Sequence, residues 1–249
     1  MDHCSWKRHL SAALLCFTPQ SMVHLTGAPP PTSHLSLVPT ILEQTLQRGD
    51  LAVDCTAGNG YDTVCLARLC REGHVVAMDV QQEALDATRL RLLQDDQVDL
   101  RRVTFFHGNH KDLSAVDATS SSSYSSSCSS SDTENGSGGG AVKAFVYNLG
   151  YLPGSDRSVR TVAEDTLISL RGARDRTARG GIVCVTCYRG HDGGAEELAA
   201  VRDEMSSWDQ CEFRVVEHRP LNWPRSPVLL TAHRFEMPRK KLPKRNDPV

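Results

Sequence analysis

The sequence is short of three features that would each point to a particular class of protein. No apolar run approaches the roughly 18 residues that a membrane-spanning helix needs, which excludes a transmembrane helix. The net charge of the 249 residues is only -2, so any contact with RNA must come from local patches and not from an overall positive field. Acidic residues are nearly missing from the start of the chain, where Asp2 is the only one before Glu43. This imbalance sets the first part of the chain apart from the remainder.

An acid-poor start of this kind is typical of organelle transit peptides. Residues 1–35 also contain Lys7, Arg8 and several serines, and we predict a transit peptide or disordered leader there. A secretory signal is the competing interpretation, because Lys7 and Arg8 precede a short apolar stretch, but no clear small-x-small cleavage site follows it. A leader without function is the third alternative.

Two further segments have compositions that do not build a core. Residues 119–140 are mostly Ser and then Gly, which predicts a disordered insertion. Residues 237–249 form a basic tail punctuated by Pro. We therefore place one domain at residues 36–236, interrupted by the insertion and flanked by the leader and the tail.

The 9 cysteines are odd in number and several lie in predicted core elements, which favours reduced, buried thiols. Cys184 and Cys187 have the C-x-x-C spacing, but both fall within a predicted strand at residues 182–188. Residues three apart in a strand point to opposite faces, so this pair cannot hold one metal ion together. We predict no metal site.

The stretch 51–81 organises the predicted domain. Its first apolar run ends on Asp54 and is followed by a turn with Gly58 and Gly60, then by a segment of helical periodicity and a second apolar run that ends on Asp79. This order of strand, glycine turn, helix, strand and acid is typical of the opening half of a nucleotide-binding α/β sheet. The glycines let the backbone approach a ligand closely, and Asp79 is placed to accept hydrogen bonds from ribose hydroxyls.

Two kinds of ligand, or none, are compatible with this turn. A dinucleotide site requires a third Gly or Ala at the position that Thr63 occupies, which disfavours a dinucleotide. Asp54 ahead of the turn gives D-x-x-x-G-x-G, which resembles motif I of class I S-adenosylmethionine-dependent methyltransferases. That resemblance implies that the acid ahead of the loop helps to fix the methionine end of the cofactor, while Asp79 holds the ribose. A structural turn without a ligand is the third alternative.

The remaining apolar runs predict an α/β, Rossmann-like sheet of seven strands with the last strand antiparallel. Strands are predicted at 51–53, 75–78, 103–106, 142–147, 182–188, 213–218 and 228–235, and further helices at 37–48, 82–93, 164–178 and 196–206. Ligands of such sheets bind at the carboxyl ends of the strands, so Asn109 and His110, which follow the third strand, are predicted to meet an adenine. Two solvated loop residues are the competing interpretation.

Asn148 follows the fourth predicted strand, and Tyr151 lies three residues further on. This spacing resembles the Asn/Asp-Pro-Pro-aromatic motif of amine methyltransferases, in which a polar side chain takes the amine hydrogens and a ring covers the acceptor. An attacking nitrogen must be uncharged and in line with the S–CH₃ bond, and an amide carbonyl orients N–H hydrogens without being a strong base. We predict Asn148 and Tyr151 as the catalytic pair. A strand-ending turn with a packing tyrosine is the alternative.

Four motifs together are more specific than any one of them. They are D-C-T-A-G-N-G-Y-D-T, M-D-V-Q, N-L-G-Y-L-P-G-S-D-R and Y-R-G-H-D-G-G-A-E-E. In these motifs the chain closely resembles a compact bacterial and plastid family, long labelled rRNA methylase and assigned to tRNA 5-aminomethyl-2-thiouridine methyltransferase activity. The resemblance covers residues 37–235 apart from the Ser/Gly insertion. It implies cofactor contacts at Asn59, Tyr61, Asp79, Gln81, Asn109 and His110.

The same resemblance implies a reaction and a setting for it. Methyl would pass from S-adenosylmethionine to the aminomethyl nitrogen of the wobble uridine, with the anticodon stem-loop of tRNA as partner; a homodimer is left open and no membrane partner is expected. A bacterial-type modification enzyme behind a transit peptide favours the chloroplast, with the mitochondrion as alternative. The rival functions are methylation of rRNA or of a small-molecule amine, a dinucleotide-dependent oxidoreductase, and an RNA-binding module without turnover.

Overall fold

The computed structural model describes residues 34–121, 142–150, 160–190 and 192–236. The predicted leader apart from its last two residues, most of the Ser/Gly insertion, the acceptor residue Tyr151 and the basic tail lie outside these ranges. Within them, helices and strands alternate until the last two strands, which follow one another directly, and one helix, Ser114–Ser121, is not among the elements that the sequence predicts.

Seven strands and six α-helices make up most of the described ranges, together with one 3₁₀ turn. In chain order they are α1 (His34–Thr45), β1 (Leu51–Asp54), α2 (Tyr61–Leu69), β2 (His74–Asp79), α3 (Gln82–Leu93), the 3₁₀ turn (Leu100–Arg102), β3 (Val103–His107), α4 (Ser114–Ser121), β4 (Val142–Leu149), α5 (Ala163–Arg176), β5 (Thr177–Cys187), α6 (Gly194–Ser206), β6 (Phe213–His218) and β7 (Val228–Arg234).

All of these strands belong to one seven-stranded sheet, in the order β3-β2-β1-β4-β5-β7-β6. Strands β1 to β5 run parallel, and β7 is antiparallel to both β5 and β6. The predicted α/β sheet of seven strands with its last strand antiparallel is confirmed. The strand order reverses between β1 and β4, and in doubly wound sheets ligands bind at this point, outside the carboxyl ends of the strands.

Helices cover both faces of the sheet because its central strands are apolar on both sides. In β4, Phe145 and Tyr147 pack towards the face covered by α5 and α6, whereas Ala144 and Val146 pack towards the face covered by α1, α2 and α3. All four side chains are buried. The sheet therefore has a core on each face, and only the edges where strands begin or end remain for a site.

The two cysteines of the C-x-x-C spacing lie on opposite faces of β5, as predicted. Cys184 belongs to the core under α1 to α3 and Cys187 to the core under α5 and α6. Burial raises the pKa of the Cys184 thiol to about 12, so it is protonated and unreactive at neutral pH. In the described ranges, no group of three His, Cys, Asp or Glu side chains is arranged to hold a metal ion.

Helix α1 lies three residues nearer the N-terminus than the predicted helix at 37–48. Just beyond it, the Asp50 carboxylate accepts a hydrogen bond from the Gln47 backbone N–H at 2.7 Å. Such a side-chain bond competes with helical backbone pairing, so the helix ends at Thr45. No helix in the described part of the chain is both long and apolar enough to cross a bilayer.

Strands β4 and β5 are longer than predicted. β4 runs to Leu149, so Asn148 belongs to the strand and not to the loop after it. β5 begins at Thr177, and its pairing with β4 shifts register before Ile182. Gly180 adopts φ +68° within this irregularity. Gly180 and Gly181, which follow the helix predicted at 164–178, therefore form a bulge in the strand.

The first residues of the predicted insertion belong to an ordered helix. Helix α4 ends at Ser121, so residues 119–121 are helical, and β4 begins at Val142. Residues 122–141 therefore lead to the start of β4. This start lies at the amino edge of the sheet, opposite the carboxyl ends of β1 to β5.

Candidate active site

Four residues singled out in the sequence end or follow neighbouring strands. Asp79 is the last residue of β2, Asn109 and His110 come shortly after β3, and Asn148 is the penultimate residue of β4. Strands β3, β2, β1 and β4 are adjacent in that order. The structure therefore brings these side chains to the carboxyl edge of the sheet, around the loop that follows β1.

Asp79 holds the β1–α2 loop against the end of β2. One of its carboxylate oxygens accepts the Gly58 N–H at 2.9 Å, and the other accepts the Gln81 N–H at 2.9 Å. The Val80 N–H also bonds this carboxylate. A carboxylate offers about four acceptor positions, so Asp79 keeps capacity to accept a hydrogen bond from a ribose hydroxyl. Burial raises the pKa of Asp79, and hydrogen bonds from the backbone N–H groups of Gln81, Gly58 and Val80 oppose that shift.

The loop requires glycine where it passes over α3. Gly60 has φ +80°, and a Cβ there would lie 2.8 Å from the Thr88 Cα atom. The Thr88 hydroxyl also donates to the Gly58 carbonyl at 3.2 Å. These contacts fix the backbone of the loop against α3. The side of the loop that faces away from α3 is the side on which we place a ligand.

Asp54, the last residue of β1, holds the start of the loop by hydrogen bonds. Its carboxylate is fully buried and accepts the Thr63 hydroxyl at 2.6 Å and the Thr56 N–H at 3.2 Å. Burial, with a smaller contribution from the negative charge of Asp62, raises the pKa of Asp54 to about 7. Because the side chain is enclosed by protein, its influence on a ligand passes through the loop that it shapes.

Two residues hold Asn148 by hydrogen bonds, one in the loop between β1 and α2 and one in α2. Its backbone N–H donates to the Thr56 hydroxyl at 2.7 Å, and its side-chain Nδ2 donates to Asp62 Oδ2 at 2.5 Å. Asp62 stands in the first turn of α2, where the helix dipole favours a carboxylate. Burial raises the pKa of Asp62, and the bond from Asn148 lowers it. Within the described residues no donor is bonded to Asn148 Oδ1. Among these residues, the carbonyl oxygen is therefore left for a ligand. The predicted partner Tyr151 lies outside the described residues.

Asn109 and His110 are held by α5 and β4. Asn109 Nδ2 donates to Asp165 Oδ2 at 2.6 Å, and Lys111 Nζ donates to the other oxygen of the same carboxylate at 2.7 Å. The His110 ring is buried and meets the Tyr147 ring edge-on, with 6.0 Å between the centroids. Burial lowers the pKa of His110 to about 4, so its imidazole is neutral at physiological pH.

Tyr61 and Asn59 make their described contacts with α3. The Arg91 guanidinium lies 3.8 Å from the centroid of the Tyr61 ring, and Arg91 Nε donates to the Asn59 backbone carbonyl at 2.6 Å. Tyr61 and Arg91 also line a cavity of about 580 Å³ between α1, α2 and α3. Contacts of Asn59 and Tyr61 with a cofactor stay a prediction.

One buried carboxylate ties both ends of the segment that follows β4. The Gly150 N–H donates to the Thr161 hydroxyl at 2.9 Å, and the Thr161 N–H donates back to the Gly150 carbonyl at 2.9 Å. The Thr161 hydroxyl donates to Glu197 Oε2 at 2.8 Å, and the Thr166 hydroxyl donates to Oε1 at 2.9 Å. Glu197 thereby fixes the base of the segment 151–159 to α6.

Four residues that hold the site together could not be assigned a role from the sequence. The sequence analysis uses Thr63 only as evidence against a dinucleotide site. In the structure, the Thr63 hydroxyl donates to Asp54 from the buried side of α2. The sequence signal for this bond is that Thr63 is a polar residue at a core-facing helical position, nine residues after the acid that ends a strand. The other three also lie within quoted motifs, without any indication from spacing of what they bond; they are Thr56, Asp62 and Glu197.

The chemistry of this edge fits S-adenosylmethionine. Asp79 offers free acceptor positions for a ribose beside a glycine loop, and among the described residues Nε2 of the buried His110 has no partner. A buried polar atom without a partner is costly unless a ligand satisfies it. Together, the sheet order, the antiparallel β7 and this site define a Rossmann-like class I S-adenosylmethionine-dependent methyltransferase.

Comparison with known proteins narrows this class to a family. A family model described as "Putative rRNA methylase" matches residues 75–234. The "tRNA (mnm(5)s(2)U34)-methyltransferase, chloroplastic" of Arabidopsis thaliana is 31% identical over 210 residues, which span 79% of this chain and 67% of the relative. The chain belongs to this rRNA methylase family.

Two crystal structures are similar to this chain in both fold and sequence. A protein of the same description from Clostridium thermocellum is 29% identical, with a TM-score of 0.68 over 82% of this chain and 98% of that one. A methyltransferase from Streptococcus mutans in complex with S-adenosylhomocysteine is 28% identical, with a TM-score of 0.65 over 84% of this chain and 99% of that one. The protein is thus a methyltransferase with S-adenosylmethionine as its cofactor.

Proposed function

We propose that this protein methylates the aminomethyl nitrogen of the wobble uridine in tRNA and so converts 5-aminomethyl-2-thiouridine to 5-methylaminomethyl-2-thiouridine. The observation that carries the proposal is the pair formed by Asn148 and Asp62. This pair leaves an amide carbonyl, with no donor among the described residues, at the end of the strand beside the cofactor loop. A carbonyl oxygen in that place suits an acceptor that brings N–H hydrogens.

S-adenosylmethionine, when bound, supplies a methyl group activated by its positively charged sulfur. Asn148 Oδ1 accepts hydrogen bonds from the N–H groups of a neutral amine and so turns the nitrogen lone pair towards that methyl group. Asp62 acts through Asn148: by accepting the bond from Nδ2 it prevents the amide from turning over, so that the carbonyl and not the NH₂ group faces the acceptor. A carbonyl is not a base, so the proton released after transfer passes to solvent.

The cofactor-binding residues are proposed from their place around the loop and from the family motifs. Asp79 and Gln81 would hold the ribose and adenine, while Asn59 and the glycine loop would hold the methionine end. The remaining acceptor capacity of Asp79, and the His110 nitrogen that has no partner among the described residues, support a ligand at this edge. By resemblance the set also includes Tyr61, Asn109 and His110, and Tyr151 is proposed to pack on the acceptor base.

The choice of substrate rests on two independent observations. The Arabidopsis relative is named for mnm5s2U34 of tRNA, and the amide of Asn148 is suited to an amine. We therefore propose the anticodon stem-loop of tRNA as the partner. Methylation of rRNA is the main alternative because the family description names rRNA, and a small-molecule amine is the second.

The decisive experiment offers the full-length protein three RNAs with methyl-labelled S-adenosylmethionine. They are tRNA whose wobble uridine carries the unmethylated aminomethyl group, the same tRNA without that group, and total rRNA. We expect label only on the first, in a nucleoside that co-migrates with 5-methylaminomethyl-2-thiouridine. Label on rRNA, or equal label on both tRNAs, would refute the proposed acceptor and keep the methyltransferase assignment.

We further propose that the protein acts in the chloroplast, as the name of its Arabidopsis relative states for that protein. The acid-poor start of the sequence supports import, and the mitochondrion is the alternative destination. Fusion of residues 1–35 to a fluorescent protein tests this. Signal in plastids is the expected result, and a diffuse cytosolic signal would contradict it.

A further inference from the structure

The segment that joins β6 to β7 lies at the same edge of the sheet as the candidate active site. Leu149, Cys187 and Val228 are register partners across β4, β5 and β7. Neighbouring strands are about 4.8 Å apart, so the start of β7 lies about 10 Å from the end of β4. We name residues 219–227 the Trp223 loop.

The Trp223 loop exposes apolar side chains between positive charges. Leu221 is 94% exposed and Trp223 is 58% exposed, and Arg219 and Arg225 flank them at exposed positions. The loop, R-P-L-N-W-P-R-S-P, contains no acidic residue. The neighbouring Glu217 bonds Arg202 at 2.7 Å and reaches Arg219 only at 3.8 Å, so the Arg219 charge is only weakly compensated.

The backbone of this loop is fixed in place. The Ser226 N–H donates to the Trp223 carbonyl at 3.0 Å and closes a turn. Arg189, two residues after β5, donates from Nη2 to the carbonyls of Pro224 and Ser226. The exposed tryptophan therefore stands on a braced loop beside the site, and holding it there costs a bound partner little conformational entropy.

We propose that the Trp223 loop binds the single-stranded nucleotides next to the methyl acceptor. An unpaired base would stack on the Trp223 ring, and Arg219 and Arg225 would contact the phosphates on either side. Unpaired RNA is recognised in this way, by aromatic stacking combined with positive charge along the backbone. The inference rests on the proposed function only in taking the acceptor to be part of an RNA loop.

The test measures RNA binding separately from methyl transfer. An anticodon stem-loop RNA with 5-aminomethyl-2-thiouridine at the wobble position is titrated with full-length protein in the presence of S-adenosylhomocysteine, and binding is followed by fluorescence anisotropy. Trp223→Ala is expected to weaken binding at least about tenfold, while Trp223→Phe keeps a ring and stays within about threefold of the wild type. Leu93→Ala, which trims a side chain that is 63% exposed on α3, is the matched control and should leave binding unchanged.

Arginine variants test the electrostatic half of the proposal. The logarithm of affinity falls as the logarithm of salt concentration rises, and Arg225→Ala should make this slope shallower by about 0.7, the value for one phosphate contact in a single strand. Arg101→Ala is its control, because the Arg101 side chain is 89% exposed on the 3₁₀ turn, and it should leave the slope unchanged. An unchanged slope for Arg225→Ala would remove the phosphate contact from the proposal.

The two proposals fail in distinguishable ways. Transfer to the stem-loop with equal affinity for wild type and Trp223→Ala would overturn the binding surface and leave the proposed function intact. Binding that depends on Trp223, without any transfer to the aminomethyl group, would overturn the function and leave the surface. Failure of the wild type to bind this RNA would overturn both.

Discussion

An exchange of the two partners at positions 62 and 148 tests whether the orientation of one amide governs methyl transfer. Asp62→Ala removes the carboxylate that accepts the bond from Asn148 Nδ2 at 2.5 Å. Asp62→Asn permits two amide–amide arrangements, in one of which Asn148 turns its NH₂ group towards the acceptor. Asn148→Asp alone brings two carboxylates into contact. The double variant Asp62→Asn/Asn148→Asp restores one donor facing one carboxylate, with the second carboxylate oxygen directed at the acceptor.

The size of the effect follows from the kind of bond that is lost. A hydrogen bond to a charged group contributes about 1.5–3 kcal/mol, and each 1.36 kcal/mol corresponds to tenfold in rate. Asp62→Ala should therefore lower kcat about 10- to 150-fold. Because Asp62 bonds Asn148 and not the residues proposed for the ribose, affinity for S-adenosylhomocysteine should stay within about threefold.

The assay is single-turnover methyl transfer to the aminomethyl tRNA, with cofactor affinity measured by calorimetry on the same preparations. Asp86→Asn provides the matched control, since Asp86 is an exposed acid on α3 that bonds Gln82. Unfolding midpoints of all variants separate a loss of rate from a loss of fold. A kcat of Asp62→Ala equal to that of the wild type, or a double variant no faster than either single variant, would refute the positioning role.

Three further variants examine other parts of the site. Asp79→Asn should weaken S-adenosylhomocysteine binding about tenfold or more by calorimetry, since an amide cannot accept from both Gly58 and Gln81; unchanged affinity would remove Asp79 from the site. Asp54 has a pKa of about 7 instead of 3.8, so it binds more protons folded than unfolded between these values, and the free energy of unfolding should fall as pH rises through that window. Asp54→Asn should flatten this slope in urea titrations, and an equal slope in both proteins would argue against the shift. Glu197→Gln should raise KM for tRNA about tenfold, because the carboxylate that accepts both threonine hydroxyls is lost, with cofactor affinity kept; a normal KM would show that the anchoring of 151–159 does not affect the acceptor.

The architecture could be predicted because its signals are local. Apolar runs ending on Asp54 and Asp79 are strands with both faces buried, and glycine at position 60 is demanded by a positive φ and by the approach of α3. The alternation of such runs with helical segments leaves few topologies. The ends of the elements were less predictable. A single bond from the Gln47 N–H to Asp50 accompanies the end of α1 three residues earlier than predicted, and this bond has no counterpart in hydrophobic periodicity.

The contacts that position Asn148 could not be predicted because they join residues far apart in the chain. Asp62 and Asn148 are 86 residues apart, and Thr56 and Asn148 are 92 apart. Motif spacing can place Asn148 near the acceptor, but which of its two amide ends faces outward depends on a carboxylate in another element. Only the packed sheet, with β4 beside β1, brings that carboxylate into range.

The amino edge of the sheet, where β4 begins, gives the fold a place to vary in length without cost to its chemistry. Residues 122–141 connect α4 to Val142 there, at the opposite end of the strand from Asn148. The entropy of closing a loop grows only with the logarithm of its length, so a long connection costs the domain little more than a short one. This connection is therefore a natural site for a fluorescent label or affinity tag, because a reporter placed in it would leave the carboxyl edge open to both cofactor and RNA.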